Sequence, residues 1–167
     1  MLRAIHIFPE FSNARSIDSL RAKYDPLYGL IEPHVTLVFP FESSLCTDIL
    51  QEHLQESVIG LTPFSIVLKG VTGAEEEYLF LNVKVGNDQI IELHDRLYAG
   101  VLQQTLDRSR TYTPHLTVGR FQNTQTFEYA VAATQHMSEI FKTTVHEFVV
   151  ENIDDSGEST IEMKVRL

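Results

Sequence analysis

The chain is poor in cysteine, in tryptophan and in basic side chains. Its 167 residues include one cysteine, Cys46, and no tryptophan. An intramolecular disulfide and a zinc site built from several cysteines are therefore excluded, and we expect a protein of the reducing cytoplasm. With 13 basic against 23 acidic residues, the formal net charge is −10. A field of that sign repels polyanions, so we expect no binding of long duplex nucleic acid.

Long hydrophobic runs are also missing. The N-terminal segment MLRAIHIFPEF begins with apolar residues, but His6, Pro9 and Glu10 interrupt it before the apolar core of a signal peptide could form. No stretch approaches the roughly 18 apolar residues of a membrane-spanning helix, so we expect no membrane partner. The hydrophobic fraction is 43%, which is typical of a globular chain. We predict a single domain over residues 1–167.

What the chain does contain is one short pattern that occurs twice. Residues 33–37 read PHVTL and residues 114–118 read PHLTV. A random order of this composition would produce Pro-His-x-Thr only about 0.02 times, so two copies are a signal. Residues i and i+2 of a strand share a face. His34 and Thr36 therefore point one way, and His115 and Thr117 repeat the arrangement.

The elements around the two copies follow a similar order. The hydrophobic pattern predicts strands over residues 2–8, 64–71, 78–85, 145–153 and 159–167, with 64–71 and 78–85 forming a hairpin. It predicts helices over about 12–24, 47–57, 87–102 and 126–140. Matching elements lie about 80 residues apart, which indicates an internal duplication. We predict two βαβ-containing lobes, approximately residues 1–77 and 78–167, related by a pseudo-two-fold axis.

Two imidazoles and two hydroxyls in one groove suit a phosphate. An imidazole titrates near pH 6.5, so one histidine can accept a proton while the other donates one. Threonine hydroxyls can donate hydrogen bonds to the non-bridging oxygens of the phosphate. No metal is required for this chemistry, and the His-x-Thr spacing offers only one strong metal ligand per strand. We therefore predict neither a metal site nor a cofactor.

PHVTL and PHLTV resemble the paired His-x-Thr/Ser motifs of the two-histidine (2H) phosphoesterase superfamily. That family includes 2′-5′ RNA ligase-like proteins and the cyclic nucleotide phosphodiesterases of RNA processing. The resemblance covers nearly the whole chain in length, motif spacing and element order. It implies an α+β fold of two lobes, with antiparallel sheets lining a central cleft. It also implies a metal-independent phosphodiesterase that acts on a 2′,3′-cyclic phosphate or a 2′-5′ phosphodiester of a nucleotide or RNA end.

The resemblance also implies roles for particular residues. His34 and His115 would be the catalytic acid/base pair, and Thr36 and Thr117 would bind the phosphate. Arg120, five residues after His115, matches a basic residue that is often found at this place in the family. The equivalent position after His34 is occupied by phenylalanine. Strict alternation from His115 would put Arg120 on the opposite face, unless the strand twists or ends first.

Several alternatives stay open on the sequence alone. The chain could be a non-catalytic module that binds a nucleotide or an RNA end in the same cleft, or a protein whose interactions lie elsewhere. The sequence indicates neither which histidine is the acid nor the oligomeric state. We expect His6 to be a packed histidine and Tyr112 and Phe41 to be core residues, and we assign His94 no role.

Overall fold

The computed structural model describes residues 1–75, 77–109 and 111–167. The strands in this part of the chain are β1 (Leu2–Ile7), β2 (Val35–Glu42), β3 (Phe64–Ala74), β4 (Tyr78–Val85), β5 (His115–Arg120), β6 (Ile140–Val145), β7 (Glu147–Ile153) and β8 (Ser159–Arg166). The helices are α1 (Arg15–Tyr24), α2 (Thr47–Ser57), α3 (Asn87–Leu97), α4 (Thr124–Thr134) and a short 3-10 helix, Gly100–Thr105. No helix among the described residues is long and apolar enough to cross a membrane.

All eight strands belong to one antiparallel sheet, in the order β6-β3-β4-β5-β2-β1-β7-β8. Strand β4 shows how the sequence builds it: Leu79 and Leu81 are fully buried, whereas Phe80 and Asn82, which alternate with them, face the other way and are partly exposed. The buried face is covered by helices, with α1 packed against β5, α3 against β2 and α4 against β3. Each fully buried Leu stabilises the fold by about 1.5–3 kcal/mol.

The sheet has an approximate two-fold axis between β5 and β2. Moving outward, β5, β4, β3 and β6 on one side correspond to β2, β1, β7 and β8 on the other. The predicted α+β fold with two related halves is confirmed, as is the β3–β4 hairpin. The sheet does not divide at residue 77, however. Strand β3 pairs with β4 through that hairpin, and the β7–β8 hairpin pairs with β1, so each half contains strands from both halves of the sequence.

Two predicted helices are too long. The helix expected over residues 126–140 is α4, which ends at Thr134, and Ile140–Val145 is strand β6. The edge of β3 provides the hydrogen-bond partners for this segment, and such pairing is invisible to local periodicity. The helix expected to reach residue 102 ends at Leu97. It is followed by Gly100, whose φ of +59° starts the separate 3-10 helix.

Candidate active site

The two copies of the motif meet where β2 and β5 pair at the centre of the sheet. The Cα partners at this crossing are Val35 and Leu116. Continuing the antiparallel register by one residue on each side puts His34 opposite Thr117 and Thr36 opposite His115. His34 and His115 are then diagonal neighbours, which lie about 7–8 Å apart in such a pair of strands, so the two imidazoles leave room for a phosphate between them. The four motif side chains therefore share one face.

A one-residue register shift in β5 changes which way Arg120 points. Thr117 pairs with Phe80, whereas Gly119 pairs with the adjacent residue of β4, so Val118 is an extra residue on β5. Val118 and Gly119 are consequently both buried, and alternation resumes one position late. This returns Arg120 to the face of the motif histidine. The expectation from strict alternation is wrong, because a bulge depends on pairing with the neighbouring strand.

Strand β2 has the same shift at the equivalent place. Thr36 pairs with His6, and Val38 pairs with the residue before His6, so Leu37 is the extra residue. Leu37 and Val38 are both fully buried. Phe39 thus occupies the place that Arg120 has on the other strand, and the positive charge is present on one side of the two-fold axis only.

Side chains from α3 and its surroundings bind the backbone of β2 at this shift. The hydroxyl of Tyr112 donates a hydrogen bond of 2.7 Å to the carbonyl of Thr36, and Nδ1 of His94 donates one of 2.7 Å to the carbonyl of Leu37. The amide of Phe39 donates to the hydroxyl of Tyr98 at 3.0 Å. The rings of His94 and Tyr112 stack with centroids 3.6 Å apart. His94, for which the sequence indicated no role, therefore helps to hold the motif strand.

Each motif histidine is oriented by the backbone carbonyl two residues before it. Nδ1 of His34 lies 2.8 Å from the oxygen of Glu32, and Nδ1 of His115 lies 2.6 Å from the oxygen of Thr113. A carbonyl only accepts, so Nδ1 carries the hydrogen in both rings. Nε2 of each neutral ring is then the nitrogen with a lone pair, and it is left for proton transfer.

Each motif histidine also packs against a ring from the neighbouring strand. His115 stacks on Phe80 with centroids 3.5 Å apart. The ring centroid of His34 lies 4.3 Å from that of His6 and 5.9 Å from that of Phe8, which it meets edge-on. His6 is buried, as expected, but it is packed against a motif histidine rather than in the general core. The two-residue period of a strand predicts which face His6 and Phe80 share with their strand neighbours. It cannot predict which strand pairs with theirs, and so it could not place them beside the motif histidines.

Burial lowers the pKa of both motif histidines. For His34 the pKa lies well below its usual value; burial is the main cause, the charge of His6 is the second, and Arg120 and Arg21 contribute less. For His115 burial is again the main cause, and Arg120 adds to it. In both rings the hydrogen bond to the backbone carbonyl opposes the shift. Both imidazoles therefore favour the neutral form at pH 7.

Asp25 connects Arg120 to the loop that leads into the first motif. Its buried carboxylate accepts hydrogen bonds from Arg120 Nη1 and, at 2.9 Å, from Nε of Arg21. Arg21 is itself buried, and its Nη2 donates to the carbonyl of Ile31 at 2.7 Å. The helix predicted over residues 12–24 ends just before Asp25, and no role was predicted for its carboxylate. Its spacing of four residues from Arg21 was the available signal for the ion pair.

A cavity of about 430 Å³ is lined by Phe8 and Glu32, two residues that contact His34, but not by the motif side chains themselves. Residues that line it include Phe8, Leu30, Glu32, Val149, Glu151 and Lys164. Its walls carry more carboxylates than basic groups. In residues 1–75, 77–109 and 111–167, no group of three or more His, Cys, Asp or Glu side chains could hold a metal ion.

Comparisons with known proteins agree with this geometry. A sequence model described as the 2′-5′ RNA ligase superfamily matches residues 9–157, which include both motifs. A Bacillus licheniformis protein named "Putative phosphoesterase" is 31% identical over 124 residues, 72% of this chain and 71% of that protein. A Geobacillus protein of the same description is 33% identical over 125 residues, 72% of this chain and 69% of that protein.

Solved structures show the same fold at lower identity. The crystal structure of Escherichia coli LigT complexed with 3′-AMP covers 99% of this chain and 97% of that chain, with a TM-score of 0.67 and 15% identity. Two further LigT structures are complexes with NADP+ and with ATP.

Proposed function

Because the chain belongs to the 2′-5′ RNA ligase superfamily and is therefore an enzyme of the phosphodiesterase class, we propose that it hydrolyses a 2′,3′-cyclic phosphate or a 2′-5′ phosphodiester of a nucleotide or an RNA end, without a metal ion. One observation carries the proposal. Two histidine–threonine pairs share one face at the β2–β5 crossing, and both imidazoles are held through Nδ1.

In this proposal His34 is the base and His115 is the acid. A bound phosphate adds negative charge, which favours one proton on the pair, whereas repulsion between two imidazolium rings disfavours a second. The charge of His6 acts against protonation of His34. The shared proton therefore resides on His115.

The reaction then needs one proton transfer at each ring. Nε2 of His34 removes a proton from water as the water oxygen forms its bond to phosphorus, and Nε2 of His115 protonates the ribose oxygen as its bond to phosphorus breaks. Thr36 and Thr117 donate hydrogen bonds to the non-bridging oxygens, and the guanidinium of Arg120 stabilises their negative charge. The products are a phosphomonoester and a free ribose hydroxyl.

Several observations support a nucleotide or an RNA end as the substrate. The related fold of LigT is seen with three nucleotides, 3′-AMP, NADP+ and ATP. The cavity of about 430 Å³ that Phe8 and Glu32 line has the size of a small-molecule site. The net charge of −10 disfavours a long duplex.

The test is hydrolysis of 2′,3′-cyclic nucleotides and short 2′-5′-linked oligonucleotides in EDTA. We expect turnover by the wild type and a loss of about 10²- to 10⁴-fold in His34→Ala and in His115→Ala. The control is His136→Ala, since His136 is exposed and outside the motifs. If the two histidines act as a unit, the double variant loses far less than the product of the single losses.

Each result leads to a distinct conclusion. Wild-type rates in either single variant would overturn the two-histidine mechanism, and turnover that EDTA abolishes would overturn independence of metal. Tight nucleotide binding without turnover over hours would instead favour the non-catalytic binding module.

A further inference from the structure

His6 and Glu151 form a buried acid–base pair beside His34. Nδ1 of His6 lies 2.6 Å from Oε2 of Glu151, and each side chain is only 4% exposed. The ring of His6 also packs against that of His34, with centroids 4.3 Å apart. Neither residue belongs to the repeated motif, so the pair needs an explanation of its own.

The other half of the sheet indicates that packing alone does not require such a pair. His6 lies opposite Thr36 on β2, and Phe80 lies opposite Thr117 on β5, so the two rings occupy equivalent positions. Phe80 supports its motif histidine with an apolar ring. Desolvating an ion pair costs several kcal/mol per ion relative to such a ring. A buried His–Glu pair at this place is therefore a candidate for function rather than for stability.

We propose that His6 and Glu151 are positioning residues for His34, which they hold in place and to which they present a positive charge. This inference rests on the proposed catalytic role of His34. The carboxylate on Nδ1 stabilises positive charge on the His6 ring, and that charge, second to burial, lowers the pKa of His34. The equivalent ring beside His115 is the uncharged phenyl of Phe80. The imidazole of His6 thus distinguishes the surroundings of His34, the base, from those of His115, the acid.

The remaining charges around His34 come from other elements. Arg120 on β5 and Arg21 on α1 also lower its pKa, and both bind Asp25. The cavity beside Glu151 carries four further charged side chains, which are Glu10, Glu32, Glu147 and Lys164. A substitution of Glu151 leaves all of these in place, so a change at His34 is attributable to the pair.

The experiment compares three variants with the wild type. Glu151→Gln keeps a hydrogen-bonding partner for His6 and removes the charge. His6→Phe combined with Glu151→Gln copies the packing of Phe80 and leaves no buried carboxylate without a partner. The control is Glu147→Gln, the same substitution on the same face of β7, where Glu147 binds the exposed Lys164 rather than a histidine. Imidazole titration by NMR and the pH dependence of kcat and KM are measured for each.

We expect His34 to titrate about one pH unit higher in Glu151→Gln and in the double variant. His115 should change much less, and neither histidine should change in Glu147→Gln. The acidic limb of the plot of kcat against pH should move to higher pH together with the titration of His34. At pH values below that limb, kcat should therefore be about tenfold lower, while KM stays similar. Folded variants in which His34 titrates as in the wild type would overturn the inference. NMR needs no turnover, so this failure is distinguishable from failure of the proposed function.

Discussion

Replacing Asp25 with asparagine should weaken the fold and the site together. The carboxylate is 0% exposed, and the Arg21 side chain that it binds is 3% exposed. Removing one partner of a buried ion pair costs about 3–5 kcal/mol, because the other charge remains without compensation. Asparagine keeps an oxygen for the amide of Leu27, so we expect the lower end, about 3 kcal/mol. A domain of this kind has a total stability of about 5–15 kcal/mol, so Asp25→Asn should still fold.

Urea unfolding measures this loss. With a slope of about 2 kcal/mol per M, the midpoint should fall by about 1.5 M. The chain offers a matched control in Glu92→Gln, because Glu92 and Arg96 form an ion pair of the same spacing whose side chains are 49% and 37% exposed. That exposed pair contributes about 0.5 kcal/mol or less. Equal midpoint shifts in the two variants would refute the reasoning from burial. Turnover should fall only in Asp25→Asn, because Arg120 loses there the negative charge that it pairs with.

Three further predictions concern the backbone, pH and the support of β2. Gly86 has a φ of +92°, and an added Cβ would lie 2.7 Å from the carbonyl oxygen of Ser65, whereas Gly157 has a φ of +83° and nothing within 4 Å. In urea unfolding, Gly157→Ala should cost about 1–2 kcal/mol, and Gly86→Ala about 1–3 kcal/mol more; equal costs would exclude the clash. As pH falls below the usual histidine pKa of about 6.5, the unfolded chain binds a proton that folded His34 still excludes, since its pKa is lowered. The free energy of unfolding should therefore decrease as the pH decreases, by at most about 1.4 kcal/mol per pH unit for each such histidine. The slope should be shallower in His34→Gln, and an unchanged slope would contradict this. Tyr112→Phe removes the hydroxyl that binds the carbonyl of Thr36 and should cost about 1–2 kcal/mol and lower kcat. The exposed Tyr129→Phe serves as its control, and an equal effect in both variants would contradict a role for the hydroxyl.

Features that depend on local spacing were predictable from the sequence. The shared face of His34 and Thr36 follows from the two-residue period of a strand, and the β3–β4 hairpin follows from two apolar runs separated by a turn. Strand β6 was missed because the predicted helix ran to its first residue and most of the rest of the segment was left unassigned; it becomes a strand only against the edge of β3. The face on which Arg120 lies could not be fixed from the sequence for a similar reason, since a register shift exists only relative to a paired strand.

The sequence by itself determined the repeated motif, the order of most elements and the class of chemistry, because each depends on neighbours within a few residues. Only the tertiary structure decided which distant groups meet. Asp25 and Arg120 are 95 positions apart, and His6 and Glu151 are 145 apart. Their contacts arise when β1, β5 and β7 take their places in one sheet. Two motifs that look alike in the sequence thereby acquire different surroundings, an ionisable ring beside His34 and an apolar ring beside His115.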